Sequence, residues 1–198
     1  MARADVMQDT PQRLVPGREC GECKVCCVTL SIDTPEIQKL AASPCRYSLG
    51  GGCDIYESRP PVCRAFFCGW RRSAAFPENW RPDTSGIFAV LEANSDPQFG
   101  PLAVALTLLA DPFVTVRDSA FIDFVVRNLG NKVALYLILP GPKGMQSPRL
   151  SLNNPLMTEA AARSHTEVGD VLEGLVQRLP AHPPTPHAMD YRGHDVST

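Results

Sequence analysis

The sequence predicts an α+β fold in which a loop-rich, cysteine-centred N-terminal region packs on a small α+β unit. Three observations lead to this fold class. All eight cysteines of the 198-residue chain lie between Cys20 and Cys68. Short apolar runs at residues 87–91 and 132–139 have the length and composition of β-strands. Segments with helical apolar spacing lie between and after these runs, and the whole length suits one compact domain.

Changes in composition divide the chain into four segments. Residues 1–17 are polar and carry no periodicity, which predicts a flexible arm. Residues 18–72 form the cysteine-rich region, and residues 73–179 hold the small α+β unit. Residues 180–198 include four prolines within seven residues, and these predict a disordered tail because proline fits neither a helix interior nor a central strand.

The α+β unit contains both strand and helix patterns. Residues 87–91 and 132–139 are predicted strands, whereas the apolar run at 102–109 suits either a strand or a helix. Apolar positions at helical spacing predict helices over 116–129 and 158–179. A glycine follows the first predicted helix and a proline follows the second, as is typical of helix C-termini.

A short helix is also predicted inside the cysteine-rich region. Thr34 is suited to cap a helix, Pro35 fits the first helical position, and Glu36 suits the positive end of the helix dipole. We therefore expect a helix over residues 35–42. It would separate the two halves of the cysteine set.

Composition excludes several classes of protein. The net charge of −2 and the isoelectric point of about 6.1 argue against a nucleic-acid partner, because no basic excess exists to neutralise phosphates. The sequence has neither an apolar N-terminal segment typical of a secretory signal nor an apolar run long enough to span a membrane. We therefore expect a cytoplasmic protein without a membrane partner. Thiols stay reduced in the cytoplasm, so dense cysteine indicates metal binding or redox chemistry rather than disulfides.

The first four cysteines form the run C-x2-C-x2-C-C between Cys20 and Cys27. Two intervening residues let a tight turn bring both sulfurs to one metal. The first three cysteines match the start of a bacterial-type ferredoxin run, but the fourth cysteine of that run is missing. In an extended segment the vicinal Cys26 and Cys27 would point to opposite sides. This favours two centres, or one centre with a free or accessory thiol.

The other four cysteines are more widely spaced: Cys45, Cys53, Cys63 and Cys68. Three glycines precede Cys53 and predict a flexible turn that approaches a site closely. Four nearby aromatic side chains are candidates for an apolar lining that excludes water from a metal centre: Tyr56, Phe66, Phe67 and Trp70.

The two halves together resemble a known family. The similarity lies in the run C-x2-C-x2-C-C, a later cysteine, and the pattern G-C-x-I-Y-x-x-R-P-x-x-C-R-x-F-x-C over residues 52–68. In these features the sequence is similar to the CxxCxxCC cysteine-cluster proteins, often called the YkgJ family. The resemblance covers about residues 18–70. The resemblance implies a domain that chelates zinc or iron. It implies protein lysine methylation less directly, through some members of the family. The metal ligands expected here are the eight cysteines: Cys20, Cys23, Cys26, Cys27, Cys45, Cys53, Cys63 and Cys68.

Three further side chains are candidates to act just outside the metal ligands. Arg59 and Arg64 would supply positive charge beside the thiolates or hold an anion, although each also suits a surface ion pair. Tyr56 would donate a hydrogen bond to a cluster sulfur, or pack in the core instead.

The sequence leaves the metal and the activity open. Cysteine-only ligation suits an iron–sulfur cluster, such as [4Fe-4S], and zinc equally well. The expected function is therefore metal binding, with an iron–sulfur oxidoreductase as the alternative. A protein partner for the α+β unit is a third hypothesis, because that unit contains no motif of a P-loop ATPase, a Rossmann dehydrogenase or a serine hydrolase.

Overall fold

The computed structural model describes residues 13–48, 52–179 and 185–186. Over these residues the chain combines helices with a four-stranded sheet, and the predicted α+β class is confirmed. Residues 1–12 of the predicted arm lie outside the described part. The end of that segment is tied to the fold, because the Val15 backbone N–H donates to the Arg71 carbonyl at 2.8 Å.

Elements in the cysteine-rich region are short and joined by loops. They are α1 (Val25–Thr29), β1 (Ile32–Asp33), β2 (Gln38–Lys39), α2 (Pro61–Ala65) and α3 (Gly69–Arg72). Helices of four or five residues are not stable alone, since nucleating a helix costs more than so few hydrogen bonds return. This region therefore depends on contacts with the rest of the chain or on cross-links.

The prediction of a helix over residues 35–42 is wrong. Instead β1 and β2 pair as an antiparallel hairpin with Ile32 opposite Lys39. The Thr34 hydroxyl accepts from the Ile37 backbone N–H at 3.3 Å and lies 3.2 Å from the Ile37 carbonyl, so it closes the turn. Threonine hydroxyls bond to nearby backbone in turns as well as at helix N-termini, and here the turn forms.

The α+β unit begins with α4 (Pro82–Ser85) and contains the strands β3 (Ile87–Ala93), β4 (Leu102–Leu108), β5 (Ala134–Ile138), β6 (Met145–Gln146) and β7 (Arg149–Ser151). Four of them form one sheet in the order β3-β4-β5-β7. The pairs β3–β4 and β5–β7 are antiparallel, and β4–β5 is parallel. Both predicted strands are confirmed, and the ambiguous apolar run is a strand at the centre of the sheet.

The parallel pair β4–β5 requires a crossover connection, and two helices supply it: α5 (Pro112–Thr115) and α6 (Ser119–Gly130). The helix predicted over 116–129 thus begins a few residues later than expected. Asp118 caps α6, since its carboxylate accepts from the Phe121 backbone N–H at 3.0 Å. Gly130 is the last helical residue rather than the residue beyond the end.

The helix predicted over 158–179 is two helices, α7 (Pro155–Arg163) and α8 (His165–Arg178). Ser164 interrupts them with an extended backbone, and its hydroxyl accepts from the Glu167 N–H at 3.2 Å to begin α8. Apolar spacing alone missed this break because α7 and α8 pack against each other and both turn apolar faces inward.

The core lies between the sheet and its helices and reaches into the cysteine-rich region. An aromatic cluster marks the junction, with the Phe76 and Trp80 rings each 5.0 Å from the Phe124 ring. Trp70 of α3 belongs to the same core, and its indole N–H donates to the Glu78 carbonyl at 2.9 Å. The Arg18 guanidinium donates to three backbone carbonyls around this cluster. The cysteine-rich region and the α+β unit therefore share one core.

Most of the predicted tail, residues 180–184 and 187–198, lies outside the described part of the chain. The described piece is β8 (Thr185–Pro186), whose backbone pairs antiparallel with β6. Among the residues that the structure describes, no helix has the length and apolar character to cross a membrane.

Candidate metal centre

All eight cysteines line one cavity of about 210 Å³. They reach it from α1, α2, the residue before α3, and the loops around Cys20, Cys45 and Cys53. All eight are free thiols; Cys45 is buried and the others are half-buried. The cavity far exceeds the roughly 10–15 Å³ that one water needs. Its size and lining therefore allow more than one bound ion.

Apolar side chains complete the cavity. Phe66 and Phe67 line it as predicted, and Ile37 adds a buried aliphatic surface. Phe88 of β3 closes one side, with its ring centroid 6.3 Å from that of Phe66. Trp70, also expected in this wall, lies in the core instead. An apolar lining limits water around the sulfurs.

The thiols fit zinc or iron by their chemistry, since thiolates are preferred ligands of both. Their side chains are not yet arranged as a coordination shell. Within residues 13–48, 52–179 and 185–186, no three Cys, His, Asp or Glu side chains converge closely enough to hold one metal ion. Binding would therefore require the thiols to turn toward a shared ion.

The vicinal pair lies in a helix, not in the extended segment assumed from the sequence. In α1 the Cys26 thiol donates a hydrogen bond to the sulfur of Cys27. This hydrogen bond lowers the pKa of Cys27 to about 6, and the nearby cations of Lys39, Arg59 and Lys24 act in the same direction. The same contact and burial raise the pKa of Cys26 above its usual range. The pKa of Cys27 therefore lies below that of Cys26.

Cys20, Cys23 and Cys68 are neighbours on one side of the cavity. The Cys23 backbone N–H donates to the Cys20 carbonyl at 2.9 Å and closes the turn between them. Burial raises the pKa of Cys68, and the charge of Cys20 adds to the rise. Burial also raises the pKa of Cys23, with smaller contributions from the charges of Asp83 and Cys68.

Asp83 of α4 borders this side of the cavity. Its carboxylate is paired with the Arg81 guanidinium through contacts of 2.7 and 2.5 Å, and this pairing lowers the pKa of Asp83. The Cys23 thiol also hydrogen-bonds to the Asp83 carboxylate. The α+β unit thereby contributes a polar contact to the cysteine cluster.

Cys45, Cys53 and Cys63 are neighbours on the other side. The Cys45 backbone N–H donates to the Cys27 carbonyl at 3.0 Å, which fixes the Cys45 loop against α1. Burial raises the pKa of Cys63, and the charges of Cys45, Cys27 and Cys53 add to the rise. Four cysteines therefore lie close enough on this side to affect one another electrostatically.

Lys39 places a buried cation beside this second side. Its ammonium donates to the carbonyls of Val28, Leu30 and Leu40, with distances of 3.2 Å to Val28 and 3.0 Å to Leu40. Burial lowers the pKa of Lys39, and the nearby thiols, first Cys45 and Cys27, oppose that shift. Lys39 therefore binds the end of α1 and also places a positive charge beside the thiols.

The three candidate side chains beyond the ligands occupy different positions. Arg59 lines the cavity, with its guanidinium carbon 3.7 Å from the centroid of the Tyr56 ring, and its charge acts on Cys27 and Cys63. Tyr56 lines the cavity with 41% of its surface exposed. Arg64 is exposed on α2 and does not line the cavity.

Sequence reasoning did not single out Lys39, Asp83 or Phe88 for this site. Lys39 falls within the helix predicted over residues 35–42, outside its apolar face. Asp83 and Phe88 lie beyond the cysteine-rich region, and only the packing of the α+β unit brings them to the sulfurs.

No protein-family model, curated protein or solved structure matches this chain. The resemblance to the CxxCxxCC cysteine-cluster proteins stays a prediction that rests on the residues named for it.

Proposed function

We propose that this protein binds metal through its eight cysteines, as an iron–sulfur cluster or as zinc. One observation carries the proposal: eight free thiols, from separate stretches of chain, line the same cavity. Thiolates bind both metals strongly, and thiols that served only as small core side chains would not need to converge on one cavity. The proposal includes a cytoplasmic location, where thiols remain reduced and available.

The metal would also organise the surrounding chain. The elements between Cys20 and Cys68 are two to five residues long and gain little from their own hydrogen bonds. A metal that ties several of them together contributes its binding free energy to folding. Lys39 and Arg59 would offset part of the negative charge that several thiolates bring to one cavity.

Anaerobic purification, followed by elemental analysis and an absorption spectrum, tests the proposal. We expect stoichiometric iron or zinc. An iron–sulfur cluster gives a brown protein that absorbs at about 400 nm through sulfur-to-iron charge transfer, and zinc gives a colourless one. A colourless zinc protein would remove the oxidoreductase alternative. Protein that contains neither metal, although purified without chelator, would refute the proposal.

Two substitutions on the same helix supply the matched control. Cys27→Ser removes a thiol from the cavity and should lower the metal content. Val28→Ser changes the neighbouring residue, which is 38% exposed, and leaves every thiol in place. We expect Val28→Ser to retain the metal content of the unmodified chain.

A further inference from the structure

We propose that the eight cysteines form two separate four-thiolate centres. The first centre would be held by Cys20, Cys23, Cys26 and Cys68. The second centre would be held by Cys27, Cys45, Cys53 and Cys63. This inference rests on the proposed metal binding, and it adds the number of centres and the ligands of each.

Helix α1 supplies the dividing line between the centres. Successive side chains on an α-helix are about 100° apart, so Cys26 and Cys27 leave α1 in different directions. Cys27 is joined to the Cys45 loop by the 3.0 Å hydrogen bond between their backbones. Cys26 instead continues the run that begins with Cys20 and Cys23. One peptide unit therefore carries one sulfur of each group, and these two sulfurs are neighbours at the boundary between the groups.

The first centre combines a local run with one distant cysteine. The turn between Cys20 and Cys23 is closed by a 2.9 Å hydrogen bond, and Cys26 follows at the same spacing. Cys68 precedes α3, and its side chain is an electrostatic neighbour of Cys20 and Cys23. In two-cluster bacterial ferredoxins, three cysteines at this spacing ligate one cluster and the next cysteine ligates the other cluster. Here the next cysteine is Cys27, which follows Cys26 directly instead of after three residues.

The second centre is assembled from two helices and two loops. Cys63 lies on α2 with Cys45, Cys27 and Cys53 as its neighbours. Tyr47 and Asp54, which follow Cys45 and Cys53 closely in sequence, are joined because the Asp54 backbone N–H donates to the Tyr47 carbonyl at 2.8 Å. Lys39, a buried cation, interacts electrostatically with Cys45, Cys27 and Cys63 of this group and with Cys26 at the boundary.

Ligand number favours two centres over one. A zinc ion or a [4Fe-4S] cluster takes four cysteines, so a single centre would leave four thiols unused within the same cavity. The neighbours described above sort all eight cysteines into two groups of four, with the hydrogen-bonded pair Cys26–Cys27 at the boundary.

Titration of the metal-free, reduced protein with Co²⁺ tests the inference, because thiolate-to-cobalt charge transfer reports each tetrathiolate site. The unmodified chain should bind two equivalents. Cys68→Ser and Cys20→Ser should each leave one equivalent, as should Cys63→Ser and Cys53→Ser. The double variant Cys68→Ser with Cys63→Ser should show no tetrathiolate signal, while Val62→Ser, a change of a non-ligand in the same cavity, should still bind two.

The outcomes separate the inference from the proposed function. If the unmodified chain binds no cobalt, metal binding itself fails. If it binds one equivalent, and substitution in one group abolishes the signal while substitution in the other leaves it, metal binding stands but the second centre is refuted. If every single variant lost both equivalents of bound cobalt while its far-ultraviolet circular dichroism stayed unchanged, the result would refute two separate centres and indicate one shared cluster.

Discussion

Lys39 links backbone structure to the chemistry of the cavity. The last carbonyls of a helix have no donor within the helix, and a cation near that end satisfies them and interacts favourably with the dipole. The Lys39 ammonium does this for carbonyls at and just beyond the end of α1, the helix that carries Cys26 and Cys27. The Lys39 ammonium therefore helps to hold α1, which carries the vicinal pair, and it places a positive charge beside the sulfurs of Cys26 and Cys27.

Replacing Lys39 with methionine tests this role, because methionine keeps the aliphatic stem and removes the ammonium. We expect the free energy of unfolding to fall by about 1–3 kcal/mol, since partly buried carbonyl oxygens at the end of α1 lose their donor. Urea denaturation measures the change. Lys143→Met, at an exposed position, is the control and should leave stability within about 0.5 kcal/mol. Equal stability of the two variants would show that the Lys39 contacts contribute nothing.

The sequence predicts some site residues and not others for a physical reason. The cysteines are recognisable because their spacing is local and their chemistry is specific. Lys39 has ordinary neighbours in sequence, and its role depends on a hairpin that pairs it with Ile32. Phe88 reaches the cavity only through the packing of β3, which no nearby residue signals.

At the level of elements, one sequence signature leads to different structures. A capping residue followed by proline precedes α5 at Asp111-Pro112 and α7 at Asn154-Pro155, and both side chains accept backbone N–H groups there. At Thr34-Pro35 the same signature forms a hairpin turn. The difference arises because β2 pairs with β1, and these tertiary contacts override the local preference for a helix. Strands β3 and β5 were predictable because continuous apolar runs of that length suit buried strands.

The junction between α4 and β3 depends on a glycine. Gly86 ends α4 with a positive φ of 69°, and a Cβ at this position would lie 2.4 Å from the Cβ of Ala110. We expect Gly86→Ala to lower the free energy of unfolding by at least about 2 kcal/mol, because it adds both backbone strain and a steric clash. Thermal unfolding followed by circular dichroism measures the loss.

Gly174 of α8 is the matched control for that substitution. A Cβ there would meet nothing within 4 Å, and the backbone is helical. Gly174→Ala should raise stability by about 0.5–1 kcal/mol, as expected for glycine in a helix interior. If both alanine variants shifted stability in the same direction, close packing at Gly86 would not be the cause.

Across the whole molecule, β3 separates two environments. Phe88 faces the sulfur-lined cavity, while its neighbours Ile87 and Ala89 belong to the core of the α+β unit. Alternation along a strand places consecutive residues on opposite faces. The core is built from apolar side chains and continuous strands, whereas the cysteine-rich region has short elements, so their stabilities should respond differently to metal.

Amide hydrogen exchange measures this difference. After metal removal by a chelator under reducing conditions, we expect loss of protection over residues 20–68, with β3, β4 and β5 still protected. The same chelator presaturated with zinc is the control and should change neither region. An equal loss of protection in the sheet would contradict the expected independence and show that metal and core form one cooperative unit.

The hydrogen-bonded pair at α1 has one more consequence. Adjacent Cα atoms are about 3.8 Å apart across a peptide bond, and that distance does not change with loop motion. If two iron–sulfur centres share this link, covalent geometry limits how far apart they can lie, and a short bonded path joins them for electron transfer. If the centres hold zinc, the same link ties the two sites together, and loss of one ion would remove a restraint on the backbone that carries a ligand of the other.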